Sequence, residues 1–122
     1  MKFLWTTLTV SDLNRSLAFY RDALGLPVIS TMSNPQVEIA FLGAGETQLE
    51  LIQRKPAGVV TPTSDVSLGF EVGPLEAHIA TLAAKGVPVD SGPFAPGPHI
   101  RFYYVKDPDG FEIQFVERPQ GK

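Results

Sequence analysis

Cysteine is missing altogether from the 122 residues. Its absence excludes disulfides, thiolate metal sites and cysteine nucleophiles, and leaves the redox compartment unmarked. Long apolar runs are missing too, since no stretch approaches the roughly 20 residues of a membrane span. The opening MKFLWTTLTV has one Lys followed by an apolar stretch. It lacks an h-region of full length and a small-residue cleavage site, so it reads as a strand and not as a signal peptide. A cytoplasmic location is the expectation, with no membrane partner. Clustered positive charge is equally scarce: no Lys/Arg run exceeds two residues and the net charge is -3. Nucleic acid is therefore not an expected partner.

What is there suits one compact soluble chain. Hydrophobic residues make up 43%, enough for a buried core, and charged residues 19%, too few for a disordered segment. Leu13, Leu17, Tyr20 and Leu24 recur at helical spacing. Ser11 or Asp12 can cap that helix and Gly25 can close it. Residues 3–10 before it read as a strand, and 27–33, 36–43 and 46–54 after it as three more. The same order then recurs. A strand over 66–72 precedes a helix over 74–85, with Leu75, Ile79 and Leu82 as its apolar stripe and Gly86 as its stop. Strands follow at 87–90, 99–105 and 110–117.

Short matches support a repeat. LTVSDL (8–13) aligns with FEVGPL (70–75), GLPV (25–28) with GVPV (86–89), and QLELI (48–52) with EIQFV (112–116). The expected fold is α+β: two βαβββ modules, about 1–54 and 66–118, joined by a connector at 55–65. Their curved mixed sheets are expected to pair around a cleft. The repeat matches Trp5 with Ser67 on the first strands, and Glu50 with Gln114 on the last. Strand alternation sets Trp5, Thr7 and Thr9 on one face and Leu4, Leu8 and Val10 on the other.

Read together, VSDLNRSLAFYRDALGLPV (10–28), TQLELIQ (47–53) and YVKDPDGFEIQFVE (104–117) resemble the vicinal oxygen chelate superfamily of glyoxalase I, bleomycin-resistance proteins and extradiol dioxygenases. The resemblance implies a metal held by the first and last strands of each module, at Trp5, Glu50, Ser67 and Gln114. Glu50 and Gln114 suit such positions. An indole nitrogen has no free lone pair and a serine hydroxyl is a weak neutral donor, so Trp5 and Ser67 do not. The expectation is therefore no catalytic metal and no cofactor, with a divalent metal disfavoured.

Glu50, flanked by Leu49, Leu51 and Ile52, is the candidate catalytic group. A desolvated carboxylate suits general-base work, whereas a Glu on a wet strand face would pair with Arg or Lys. Trp5 offers a flat wall for a planar ligand, or packing at a contact. Gln114 orients a ligand, or lies on a strand surface. SGPFAPGPHIRFYY (91–104) reads as a rim or a plain connection leading into a strand where His99, Arg101 and Tyr103 alternate with Ile100, Phe102 and Tyr104. The first set is expected to face the cleft, with Arg101 available for an anion. His78 borders the core or faces solvent. DPDG (107–110) has type I turn chemistry and a structural role. The expected function is binding of a small organic molecule in a cleft lined by Trp5, Glu50, Ser67, His99, Arg101, Tyr103 and Gln114, in a homodimer. The alternative is a glyoxalase-like lyase or isomerase with Glu50 as general base or metal ligand.

Overall fold

A computed structural model describes residues 1–45 and 47–118. Two compact units divide between Thr61 and Pro62, inside the expected connector. Each holds one four-stranded mixed sheet backed by one helix, in the same element order.

In unit 1 the strands are β1 (Trp5–Thr9), β2 (Val28–Ser33), β3 (Val37–Leu42) and β4 (Gln48–Arg54). Glu46, the first residue of the expected fourth strand, lies outside the described residues. Sheet order is β1-β4-β3-β2. The β1–β4 pair is parallel and the rest antiparallel. A parallel pair needs a crossover, which the helical segment after β1 begins. Asp12 caps its first turn, α1 (Leu13–Leu17), and accepts from the amides of Asn14 and Arg15. The single helix expected to run to Leu24 changes pitch: Ala18–Ala23 is π-helical, and Leu24 N–H bonds the Phe19 carbonyl. Gly25, at φ 82°, takes the left-handed turn that a side chain would resist. The helix-side core gathers Leu8, Leu13, Phe19, Tyr20, Leu42, Leu49 and Leu51, all buried. Each such side chain contributes about 1.5–3 kcal/mol by leaving water.

Unit 2 repeats the plan with β5 (Ser67–Glu71), α2 (Leu75–Ala84), β6 (Ser91–Gly97), β7 (Ile100–Lys106) and β8 (Glu112–Glu117), in sheet order β5-β8-β7-β6. Leu75, Leu82, Tyr103, Val105, Ile113 and Phe115 are its buried apolar residues. The strand expected at 87–90 is displaced to 91–97, within the stretch read as a rim or connection. Pro93 and Pro96 bring no backbone N–H to a ladder there. They are accommodated because β6 is an edge strand whose pairing with β7 slips twice. Gly92, at φ 97°, lets the backbone pass where a Cβ would lie 3.1 Å from the Tyr103 Cα.

The turn before β8 is built as its sequence implies. Gly110 N–H bonds the Asp107 carbonyl, and Asp107 Oδ1 accepts from the amides of Asp109 and Phe111. Asp107 is buried. Its role is structural.

Candidate functional site

Each sheet has a face turned to its helix and an open face opposite. In unit 1, alternation places Trp5, Thr7 and Thr9 on the open face as expected, all exposed, with Leu8 buried behind. Register brings Thr7 beside Glu50 on one side and Phe41 beside Glu50 on the other. Thr7 Oγ1 donates to Glu50 Oε1 at 2.5 Å. Glu50 therefore has a fixed partner in a hydroxyl, and its carboxylate remains partly exposed between buried Leu49 and Leu51. Trp5, 46% exposed, meets Phe41 edge-on with ring centroids 5.1 Å apart. The pair forms an aromatic wall beside a carboxylate.

Unit 2 mirrors this with different chemistry. Gln114 lies opposite Gly69 on β5 and Tyr104 on β7. Its amide Nε2 donates to the Tyr104 hydroxyl at 3.2 Å. A Cβ at position 69 would come within 3.2 Å of Gln114 Oε1, so glycine there leaves room for the amide. Ser67 is exposed at the start of β5.

The seventh strand has the opposite orientation to the one expected. Tyr103 is wholly buried on the helix side, its hydroxyl 2.7 Å from His78 Nδ1 of α2 and its ring packed on Phe115. Burial pushes the Tyr103 phenol up to about 12 and, with the charge of Lys85 adding to it, pulls His78 down. Arg101, on the same side, pairs with Glu76 of α2 and Glu117 of β8. The hydrogen bond from Arg101 holds the Glu76 carboxyl below its ordinary range. His99 is exposed in the turn joining β6 and β7. Arg101 and Tyr103 thus serve packing and surface pairing against α2 and are removed from the ligand-lining set. Their alternates, Phe102 and Tyr104, occupy the open face. Phe94 on β6 joins them, with ring centroids 5.6 Å from Phe102 and 6.4 Å from Tyr104. None of these three was among the expected site residues. The Gln114–Tyr104 register carried the missing signal.

A profile of the Glyoxalase/Bleomycin resistance protein/Dioxygenase superfamily matches residues 2–115. The chain belongs to that superfamily. A lactoylglutathione lyase of Haemophilus influenzae is 34% identical over 133 aligned positions, covering 100% of this chain and 96% of its own. The lactoylglutathione lyase of Escherichia coli O157:H7 is 32% identical, with 96% and 93% covered. Among solved structures, the trypanothione-dependent glyoxalase I of Leishmania major superposes with a TM-score of 0.83 at 26% identity, covering 96% of this chain and 86% of that one. An antibiotic-binding protein from a Streptomyces shares the fold at a TM-score of 0.78 and 21% identity, with 97% and 96% covered.

These relatives correct the expectation of no cofactor. Lactoylglutathione lyases and glyoxalase I enzymes of the superfamily are typically metal-dependent. The residues of this chain do not make up such a donor set unaided. Of the four positions that the resemblance implies, Glu50 and Gln114 have donor chemistry, while the indole of Trp5 and the hydroxyl of Ser67 do not suit a metal. Among the described residues no group of three or more His, Cys, Asp or Glu is placed to hold a metal ion. No helix among them is long and apolar enough to cross a membrane.

Proposed function

We propose that this protein binds a small organic molecule, with Glu50 the polar anchor on the open face of unit 1 and Gln114 its counterpart in unit 2. One observation supports this above others. At the two positions matched by the internal repeat, a polar side chain is held by a hydrogen bond from or to its neighbour and stays partly exposed. Pre-oriented polar groups beside aromatic surface are what a small-molecule site requires. Thr7 fixes the Glu50 carboxylate, and the Trp5–Phe41 pair supplies the apolar wall. Calorimetric titration with a panel of small cationic and neutral organic compounds tests the reading. Glu50→Gln keeps an acceptor for Thr7 and removes the charge, so cationic ligands are expected to lose about tenfold or more in affinity. Identical affinities in both proteins would remove Glu50 as anchor.

The curated relatives favour a second reading, a lyase or isomerase of the lactoylglutathione type in which Glu50 takes and returns a proton. Turnover is followed through the thioester absorbance of lactoylglutathione, on protein whose metal content has been measured by elemental analysis. Activity abolished by Glu50→Gln supports this reading. No turnover with any added divalent metal removes it. A homodimer is the expected assembly, given exposed Trp5, Ile29 and Met32, and sedimentation at micromolar concentration decides it.

A further inference from the structure

The open face of unit 2 has a feature that neither the superfamily assignment nor the anchoring role of Gln114 accounts for. Phe94, Ala95, Pro96, Phe102 and Tyr104 line a shallow depression of about 550 Å³. That volume lies within the range of small-molecule sites. Three of the five are rings arranged as a continuous group: Phe102 and Tyr104 meet nearly perpendicular at 5.9 Å, and Phe94 leans on both. Phe94 keeps 43% of its surface exposed, on an edge strand whose slipped pairing lets it register against Phe102. Among the described residues no charged side chain lines the depression. Behind the lining, the Gln114 amide donates to the Tyr104 hydroxyl, and Gly69 leaves the amide oxygen with room beside it.

We propose that this depression is an aromatic-ring subsite that takes an uncharged planar aromatic ligand bearing one polar substituent at its edge. The rings offer faces and edges for stacked and perpendicular contacts, which an aliphatic group of equal size uses less well. A charge buried against them would lose hydration without gaining a partner. The substituent finds its hydrogen bonds at Tyr104 and Gln114, each able to donate or accept. The inference rests on the small-molecule reading above and assigns a ligand class to the open face of unit 2 alone.

The test compares 2-naphthol with its saturated counterpart, decahydro-2-naphthol, and with 2-naphthoate, by calorimetry on the full chain. Binding of 2-naphthol is expected to be about tenfold tighter than that of either comparator. Phe94→Ala and Phe102→Leu should each lower 2-naphthol affinity about five- to tenfold while affecting the saturated compound little. Equal affinities for the aromatic and saturated compounds overturn the subsite. So does a Phe94→Ala variant that changes the sedimentation coefficient and leaves affinity intact, which would make the face a contact between copies. Titrating the cationic compounds into Glu50→Gln separates the two levels. Weakened cation binding there, with equal affinities for 2-naphthol and its saturated counterpart, keeps the small-molecule reading and overturns the subsite. Unchanged cation binding there, with ring discrimination intact, keeps the subsite and removes the Glu50 anchor.

Discussion

Ser16 is wholly buried, and its hydroxyl has no hydrogen-bond partner among the described residues. It sits in α1, one turn after the Asp12 cap, where its own amide already bonds the Asp12 carbonyl. A desolvated hydroxyl without a partner costs about 1–3 kcal/mol relative to an apolar group of similar size. Alanine is also the stronger helix former. Ser16→Ala is therefore expected to raise the unfolding free energy by about 1 kcal/mol, read as a higher denaturant midpoint at unchanged slope. A lowered midpoint would mean that a buried water satisfies the hydroxyl. The opposite case is Tyr103, whose hydroxyl does have a partner in His78. Tyr103→Phe leaves a half-buried imidazole nitrogen unpaired and should cost about 1–2 kcal/mol in the same measurement.

At the scale of elements, the repeat reaches beyond strand order into the way each helix starts. The first amide of α1 donates to Gln53 Oε1 of β4 at 2.7 Å, and the first amide of α2 donates to Glu117 Oε1 of β8 at 3.3 Å. Pro74 at the second helix start offers no side-chain cap, so the acceptor comes from the sheet. Gln53→Ala and Glu117→Ala are each expected to cost about 1 kcal/mol, with the Glu117 variant also releasing Arg101 from one of its two carboxylate partners. Equal denaturation midpoints for variant and parent would show that water replaces these acceptors at no cost. The sequence made the helix positions, the β4 and β8 faces and the DPDG turn legible, because periodicity and turn chemistry act locally. Strand β6 was hidden because its two prolines are tolerated only at an edge, which is a property of the sheet. The π-helical turn was hidden because Leu17, Tyr20 and Leu24 fit an α-helical period as well. The face of β7 differs from the expected one by a single step of parity. Polar His99 and Arg101 suggested a cleft, yet Arg101 reaches Glu76 around the rim of α2. A shift of one residue exchanges the two faces of a strand. The register that sets Phe41 against Glu50 sets Tyr104 against Gln114, so the repeat extends through β3 and β7 and carries the observed parity.

For the molecule as a whole, the repeat identified Glu50 and Gln114 as matched positions, and superfamily membership followed from motifs spread along the chain. The aromatic subsite escaped because it depends on a slipped edge pairing that no local pattern encodes. The titrating groups set a further property of the whole chain, the pH range of its stability. His78 is held below its ordinary value of 6.5, so the unfolded chain binds its proton first. The stability it contributes is complete above that value and is lost as pH falls toward the folded value. Asp22, Glu38, Glu71 and Glu76 are also held low, each chiefly by a hydrogen bond from a basic partner. Their contributions fade below about pH 4.5 and are small, because exposed pairs are screened. On the alkaline side Tyr103 is raised to about 12 from 10.0. Its neutral form is favoured in the fold, so stability holds below about pH 10 and declines as pH rises toward 12. The urea midpoint should therefore be level between about pH 7 and 10, fall first on the acid side through His78, and fall again above 10. Tyr103→Phe should make the alkaline decline shallower while lowering the whole curve, and His78→Gln should flatten the decline between pH 7 and 5. An acid limb that stays unchanged in His78→Gln would assign the first loss of stability to the carboxylates instead.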